Sequence, residues 1–363
     1  MSVVAALRIE GIPTIIGDFL LTDNDTTKPH IFLPTRPDIN SSPFGHLDRR
    51  VAGMRRKIHI FNDNFVAGFT GSVKAGEEVF ADLEHRFSTK APTIHELDDA
   101  FQRFNTKYSN GASVAGWTMR SRPTCFSWSA APGSRARKVT HEIIGSGTEH
   151  FTNLLTGADM RGHSDSVALA WDKAVLVGLT KIGGLVTEEL SSGKNLEAAY
   201  GYGGEMIILT SAGFRAVEKF MLTFWNVRIE DDGTINYLPS NVVAVYQNMG
   251  RYTAVQVTHL AFADQRLTAR DTYVMAITPI HDPMDSLNVK AIGRLELSAP
   301  YYFMAFSVVD MKSGKTGLFK MTAQSGPGSV LRHIKRDGID YLEMDRKMIE
   351  QYIANMFNVG MPR

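Results

Sequence analysis

The first 21 residues carry two apolar runs with the composition of β-strands. Residues 2–9 are rich in Val, Ala and Leu, and residues 12–21 resume the apolar run after Glu10-Gly11, a pair typical of tight turns. This pattern predicts a strand hairpin. The following residues, 23–56, contain four prolines and few periodic apolar positions, which predicts a long loop.

A second hairpin is predicted further along, before the spacing of apolar residues changes. The apolar runs 57–62 and 65–71 are separated by turn-forming polar residues. From 73 to 87 the apolar residues recur at helical intervals. Thr93 and Glu96 have the spacing of a capping box, which predicts that a second helix begins there.

The next region repeats this order of strands followed by helices. Residues 112–131 predict two strands, and 165–190 predicts a long helix. Shorter apolar runs at 141–144 and 206–210 predict one strand each. The succession predicts an α+β protein in which two sheets are sandwiched between helical layers, because a doubly wound fold would alternate single strands with single helices.

The last third of the chain has a different pattern, dominated by strand-like runs with a helix at the end. We therefore expect two regions: residues 1–213, a complete sandwich domain, and residues 214–363, a strand-rich extension with a terminal helix. The strand-like runs are 220–227, 241–246, 253–260, 273–277 and 301–309, and the helical spacing covers 342–357.

Charge and composition narrow the function. The chain has 39 Lys and Arg against 38 Asp and Glu. Proteins that bind nucleic acids usually carry a clear excess of basic residues, so we expect no nucleic-acid partner. Local basic clusters such as Arg55-Arg56-Lys57 are interpreted as solvated loops. Apolar stretches fall short of the roughly 18 residues of a membrane span. The single cysteine, Cys125, excludes an intrachain disulfide and favours a reducing compartment, so we expect a cytoplasmic protein without membrane contact.

Common cofactor and metal motifs are incomplete. Gly314-Lys315-Thr316 lacks the first glycine of a P-loop, because position 309 is valine. No histidine pair has the H-E-x-x-H spacing of a zinc protease. His281-Asp282 is interpreted as an exposed turn rather than as metal ligands. We therefore expect neither a cofactor nor a metal.

One set of spacings points to a specific chemistry. Asp18 lies sixteen residues after Ser2, Lys57 lies fourteen residues before Gly71, and Gly145-Ser146-Gly147 forms a later turn of small residues. In these positions the chain resembles the proteasome β subunit and the related bacterial peptidase subunit, over roughly the first 210 residues. The resemblance implies the four-layer αββα sandwich of the N-terminal nucleophile hydrolases, here with a C-terminal β-rich extension.

The resemblance also implies a role for each residue. Ser2 would be the nucleophile, and its free α-amine, with an ordinary pKa of roughly 7.7–8.0, would accept the hydroxyl proton near neutral pH. Lys57 would place a cation beside both groups, and Asp18 would keep Lys57 charged and oriented. The Gly71 N–H would stabilise the tetrahedral oxyanion, and Ser146 would hydrogen-bond the amine.

The chain departs from the family pattern in three places. The nucleophile is serine, where the family normally has threonine. The family's later Asp-x-x-Ser-Gly-Gly pattern corresponds to residues 199–204, where Ala199 and Tyr202 replace the aspartate and the serine and Glu197 is an alternative acid. Met1 must also be removed before the amine of the next residue is free, and a small second residue suits methionine aminopeptidase.

We expect a peptidase that is acylated on Ser2 by a peptide carbonyl and then hydrolysed by water. Its substrates would be peptides or unfolded proteins, its copies would form a ring enclosing the active sites, and an ATPase unfoldase is a further possible partner. Two alternatives stay open: an amidase of the same fold acting on a small amide, and a catalytically inactive ring or scaffold protein. Pocket residues beside Ser2 are expected within 23–56 and around Ser72.

Overall fold

The structure is a computed structural model that describes residues 2–40, 49–156, 170–191, 196, 200–238, 241–263, 266–282, 292–326, 328–336 and 339–357. Of the described residues, 46% are in strands and 23% in helices. The helices are α1 Val73–Phe87, α2 Ile94–Gln102, α3 Phe104–Lys107, α4 Thr148–Thr156, α5 Ala170–Ser191 and α6 Arg346–Phe357. Within this part of the chain, no helix has the length and apolar composition that a membrane span requires.

The strands of the first half are β1 Val3–Ile9, β2 Ile12–Asp18, β3 Leu20–Asp23, β4 Arg50–Met54, β5 Ile58–Asn62, β6 Phe65–Gly71, β7 Ala112–Met119, β8 Pro123–Ser129, β9 Arg137–Val139 and β10 Glu142–Gly145. The strands of the second half are β11 Gly204–Thr210, β12 Gly213–Ala216, β13 Lys219–Ile229, β14 Ile235–Tyr237, β15 Asn241–Asn248, β16 Thr253–Ala263, β17 Arg266–Ile277, β18 Tyr301–Asp310, β19 Thr316–Gln324, β20 Leu331–Arg336 and β21 Ile339–Met344.

Two five-stranded antiparallel sheets pack against each other. Sheet 1 has the order β10-β1-β2-β11-β12, and sheet 2 has the order β5-β6-β7-β8-β9. Both predicted hairpins are confirmed, and Glu10 and Gly11 adopt the positive φ angles of 50° and 79° that a two-residue hairpin turn needs. Apolar side chains that alternate along the strands, such as Val4, Ile15 and Trp117, fill the space between the sheets.

The outer face of sheet 2 is covered by α1 and α2. Phe69 of the sheet packs with Val79 and Phe80 of α1 in one buried cluster. The capping box at the start of α2 is confirmed: the Glu96 N–H donates to Thr93 Oγ1 at 3.1 Å, and the Thr93 N–H donates to Glu96 Oε2 at 2.7 Å. The second predicted helix is broken, because α2 ends at Gln102 and α3 forms a separate turn.

The predicted four-layer αββα sandwich is wrong. A third sheet, sheet 3, has the order β17-β16-β15-β13-β18-β19, with β14 paired to β13. In a four-layer sandwich, α5 would belong to an outer layer, with one face on sheet 1 and the opposite face in solvent. Here sheet 3 covers that opposite face, so α5 lies between sheets 1 and 3. Strands therefore dominate the chain, and mostly antiparallel sheets continue through the region that was predicted to be an extension of a finished sandwich.

Two glycines allow α5 to approach both sheets. A Cβ on Gly178 would lie 2.2 Å from the Met206 sulfur in β11, and a Cβ on Gly183 would lie 2.4 Å from Phe303 Cδ1 in β18. Real side chains do not pack at such distances, so the helix backbone sits almost directly on both layers. A helix buried on all sides needs apolar residues around its whole circumference, which α5 has.

Details of the second half also differ from expectation. The five predicted strands are present, but the terminal helix begins at Arg346, because residues from Ile339 to Met344 pair with β20. Asp345 then begins the helix by accepting the Met348 N–H at 3.1 Å. The segment 23–56 is a loop only in part, since β4 pairs with β3. The division at 213/214 stays a prediction and falls within β12.

The end of β17 joins sheet 3 to sheet 2. The Arg56 N–H donates to the Thr278 carbonyl and the Ile280 N–H donates to the Arg56 carbonyl, both at 2.9 Å. The rings of His59 and His281 then meet with their centroids 4.1 Å apart. Burial is the main cause that lowers the pKa of each imidazole to about 4, so this contact is between neutral rings at pH 7.

We predict that replacing Gly183 with alanine destabilises the protein. Overpacking against Phe303 costs roughly 1–3 kcal/mol, and the higher helix propensity of alanine offsets up to about 1 kcal/mol of it. Urea unfolding measures the difference. The matched control is Gly326→Ala, where an added Cβ meets nothing within 4 Å. Equal stability of the two variants would show that α5 is not covered by sheet 3.

We also predict that the free energy of unfolding falls as the pH drops from about 6.5 to about 4. The unfolded chain takes up protons at the ordinary histidine pKa of 6.5, whereas the folded His59 and His281 resist protonation until about pH 4. The contribution of these two histidines to the free energy of unfolding is therefore fully present above pH 6.5 and is lost as the pH falls from about 6.5 to about 4. In His281→Phe the slope should be shallower, and in the exposed control His141→Gln it should be unchanged. A wild-type slope retained in His281→Phe would contradict the assignment.

Candidate active site

A buried ion pair lies at the centre of the candidate site. Asp18 ends β2 and Lys57 directly precedes β5, and their side chains are 0% and 1% exposed. Lys57 Nζ donates to Asp18 Oδ1 at 2.6 Å and to the Leu20 carbonyl at 2.6 Å. Sheets 1 and 2 thus meet through opposite charges that water does not reach. Such a pair is stable only when the remaining lone pairs are also satisfied.

The Asp18 carboxylate satisfies this condition with backbone donors from three directions. Its Oδ1 also accepts the Val3 N–H at 2.8 Å, and its Oδ2 accepts the N–H groups of Leu20 at 3.2 Å and Gly201 at 2.9 Å. One carboxylate therefore fixes the start of β1, the start of β3 and the turn before β11. Because Val3 follows Ser2, the predicted nucleophile lies one residue from a backbone group that Asp18 holds.

Burial has a direct electrostatic effect on Lys57. Desolvation lowers the pKa of its ammonium below the ordinary value, and the charges of Asp18 and Glu205 oppose this shift. Asp18 therefore opposes the deprotonation of Lys57 that burial favours. A lysine poised in this way can hold a positive charge beside a reacting group and can exchange a proton more readily than a surface lysine.

Ser2 and the Gly-Ser-Gly turn are in contact. Ser2 is buried at the start of β1, and its carbonyl accepts the Gly147 N–H at 3.5 Å. Gly145 pairs with Val3 and has a φ of 103°. A Cβ atom at this position would lie 1.9 Å from the Ser2 carbonyl oxygen, so only glycine fits there. Ser146, half-buried, lies in the same turn. Within the described residues no hydrogen bond joins the Ser2 hydroxyl to Lys57.

Gly71 lies at the end of β6, near the same turn. Its φ of 135° and the 2.2 Å gap between a built Cβ and the Gly111 carbonyl restrict this position to glycine. Thr70, the residue before Gly71, lies close to Gly145: a Cβ atom added to Gly145 would be 3.1 Å from the Thr70 methyl carbon. Ser72, next along the chain, begins α1 by accepting the Ala75 N–H at 3.2 Å. The strand end that carries Gly71 is thus brought beside the turn that contacts Ser2.

The segment before β11 packs beneath these residues. The Gly201 carbonyl accepts the N–H groups of Phe19 and Leu20 at 3.3 and 3.2 Å, and the Tyr200 ring fills the space next to Gly147. Tyr202 adopts a positive φ of 60°, unusual for a tyrosine, and its N–H donates to Glu189 at 2.6 Å. The ring of Tyr202 therefore occupies the position where the family pattern has a serine.

Three residues that hold the candidate site in place were missed by sequence reasoning. Arg56, interpreted as part of a solvated cluster, is buried, and its Nε donates to Glu205 Oε2 at 2.8 Å. Glu205 Oε1 accepts the N–H groups of Lys57 and Ile58, both at 3.1 Å, which fixes the backbone that carries the lysine. Glu189 holds Tyr202. Two of these residues could have been recognised from sequence, because each is an acidic residue within an apolar run: Glu205 in the strand Gly204–Thr210 and Glu189 in the helix α5.

Three residues named in the sequence analysis, Met1, Glu197 and Ala199, lie outside the described part of the chain. A fourth residue, Cys125, is excluded from the chemistry. Cys125 is buried between sheets 1 and 2, and burial raises the pKa of its thiol to about 12, so it is not a thiolate at neutral pH. Among the described residues, no group of three or more His, Cys, Asp or Glu side chains has the arrangement needed to hold a metal ion.

Comparison with known proteins adds no family to this geometry. No protein-family model matches the sequence, and no curated protein matches it significantly. The likeness to proteasome β subunits therefore rests on the five residues Ser2, Asp18, Lys57, Gly71 and Ser146 and stays a prediction. What the structure adds is the contact between Asp18 and Lys57, and the placement of Ser2 beside the Gly-Ser-Gly turn.

We predict strong coupling between Asp18 and Lys57. Lys57→Met leaves a buried carboxylate without its cation and should cost roughly 3–5 kcal/mol of unfolding free energy. Asp18→Asn together with Lys57→Met should cost less than the sum of the single changes, because the double variant buries no net charge. Urea unfolding of the four proteins gives the coupling energy.

The exposed pair Arg215–Asp63, 2.7 Å apart, is the matched control for this cycle. Both side chains are largely open to solvent, so its coupling should be about 0–1 kcal/mol. Additive effects at Asp18 and Lys57 would contradict the placement of a buried ion pair at the centre of the site.

Proposed function

We propose that this protein is a peptidase whose nucleophile is the hydroxyl of Ser2, freed at its amine by removal of Met1, and that it acts in the cytoplasm. The observation that carries the proposal is the Lys57–Asp18 pair, buried and held by the backbone next to Ser2. A buried charge pair in that position is expensive for a purely structural role, since well-packed apolar residues of similar volume often replace such pairs without loss of stability.

The chemistry follows from these groups. The Ser2 hydroxyl attacks the peptide carbonyl, and its proton passes to the α-amine of the same residue. The Lys57 cation lowers the pKa of both the hydroxyl and the amine, which favours the attacking oxygen and keeps the amine able to accept a proton. The Gly71 N–H donates to the oxygen that becomes negative.

Completion of the cycle returns the protons that the first step moved. Collapse of the tetrahedral intermediate breaks the C–N bond, and the α-ammonium gives its proton to the leaving amine. The product of this half-reaction is an ester on Ser2. Water, deprotonated by the same amine, then attacks the ester. The C–O bond to Ser2 breaks, the α-ammonium returns its proton to the Ser2 oxygen, and the carboxylic acid is released. Ser146 would orient the amine through both halves of the cycle.

A non-catalytic scaffold is the second candidate, and one observation favours it. Tyr200 and Tyr202 occupy the segment where the family pattern places an aspartate and a serine. Desolvation raises the pKa of both phenols, so neither supplies a charge to the site. A homo-oligomeric ring and an ATPase unfoldase are implied by the resemblance alone, and both belong equally to the peptidase and the scaffold.

We predict that a serine-reactive fluorophosphonate labels Ser2 in protein whose intact mass shows the loss of Met1. Ser2→Ala should abolish the label, and Ser129→Ala, which removes an exposed hydroxyl in β8, should not. Lys57→Met should slow labelling of the folded protein by about 100-fold or more, because the hydroxyl loses its neighbouring cation.

Three outcomes separate the candidates. Retained Met1 or an acetylated Ser2, with no labelling, would overturn the catalytic mechanism and leave the scaffold. Labelled Ser2 with turnover of small amides, and no cleavage of an unfolded protein by mass spectrometry of its peptides, would identify the amidase. Labelled Ser2 with defined product peptides is the result that the peptidase requires.

A further inference from the structure

A cleft lies apart from the residues assigned to catalysis. It has a volume of about 500 Å³ and opens between β5 and the ends of β12, β15 and β17. Of the site residues Ser2, Asp18, Lys57, Gly71 and Ser146, none lines it. The volume falls in the range of roughly 300–1,000 Å³ that is typical of small-molecule sites.

The cleft has an apolar strip with hydrogen-bonding groups around it. Ile60 and Ala216 are partly exposed and provide carbon surface that a ligand side chain can cover, and the buried Ile58 and Pro279 lie behind them. Small-molecule sites combine such surface with a few polar groups that fix the orientation of the ligand. The chemistry of those polar groups therefore decides which ligand class fits.

Two arginines supply donors. Arg56 is held by Glu205 through Nε and by the Gly250 carbonyl through Nη1 at 2.7 Å, and no described residue accepts a hydrogen bond from its Nη2. Arg251 binds Asp282 through Nη2 at 2.7 Å, and its side chain is largely exposed. Guanidinium groups positioned in this way match a carboxylate.

Glu218 supplies the acceptor. Glu218 is exposed at the cleft, and no described residue forms an ion pair with it. His281 also lines the cleft, and burial lowers the pKa of its ring to about 4, so at neutral pH it adds no positive charge that would repel an ammonium.

We propose that this cleft binds a small zwitterion, a free amino acid or a short peptide with both termini uncapped. The carboxylate lies on Arg56 and Arg251, the ammonium donates to Glu218, and the side chain covers Ile60 and Ala216. Binding here does not require Ser2 to be a nucleophile.

Charge balance argues for a zwitterion over a ligand of one sign. A phosphate or other polyanion would meet the carboxylates of Glu218 and Asp282 as well as the arginines. An organic cation would meet Arg56 and Arg251. A metal ion would need three or more suitable ligands, which the described residues do not bring together. A molecule with separated opposite charges pairs with both sides of the cleft.

Calorimetric titration of the full chain with glycyl-leucine tests the proposal. Saturable binding is expected, and N-acetyl-glycyl-leucine and glycyl-leucinamide should each bind about tenfold more weakly, because each lacks one charge-assisted contact. Calorimetry does not detect binding that has no enthalpy change, so ligand-observed NMR on the same solutions is the second measurement of binding.

Two variants locate the contacts. Glu218→Gln should weaken glycyl-leucine about tenfold and leave the acetylated dipeptide unchanged, whereas Arg251→Gln should weaken glycyl-leucine and leave the amide unchanged. Glu10→Gln, an exposed change that does not line the cleft, is the control. The proposal is overturned by no binding in either measurement at millimolar dipeptide, by equal binding of the capped dipeptides, by insensitivity to both variants, or by tighter binding of inorganic phosphate.

Discussion

Asp18 is the one side chain on which the separate parts of the N-terminal half depend. Its two oxygens receive three backbone N–H groups and the Lys57 ammonium, and these donors come from β1, β3, the turn before β11 and the residue before β5. Glu205 repeats the arrangement on the other side of the lysine, where it accepts two backbone N–H groups and the Arg56 guanidinium. Two buried carboxylates therefore position one lysine. The energetic penalty of burying them is offset only while every donor stays in place, which makes this part of the molecule intolerant of small displacements.

Local features of the fold could be predicted from sequence because local physics determines them. The Glu10-Gly11 hairpin and the Thr93–Glu96 capping box depend on a few neighbouring residues, and both are confirmed. The layer order was wrong because it depends on what covers α5. Its apolar residues continue around the whole helix, as in AWDKAVLVGLTKIGGLVTEELS, and that pattern predicts a helix buried on every side rather than an outer layer. The signal was present in the sequence, but the resemblance to a four-layer fold favoured the simpler arrangement.

Only the part of the candidate site that depends on the spacing of residues along the chain could be predicted from the sequence. The positions of Asp18 and Lys57 relative to Ser2 and Gly71 led to a pair that is in contact in the structure. The partners Glu205, Arg56 and Glu189 come from distant segments, and no local pattern links Arg56 to a residue that lies 149 positions later. Net charge was a poor guide to Arg56 as well, since a basic cluster at neutral overall charge is usually solvated.

The position of α5 also affects the order in which the protein can be made. Its second covering layer, β18 and β19, is encoded about 110 residues after the helix ends. At roughly 5–20 residues per second, the ribosome takes about 7–27 s after the end of α5 to complete that layer. During this interval one apolar face of α5 has no native partner, and a chaperone or a second nascent chain can occupy it. The helix that lies between sheets 1 and 3 in the folded protein therefore waits for its second covering layer during synthesis.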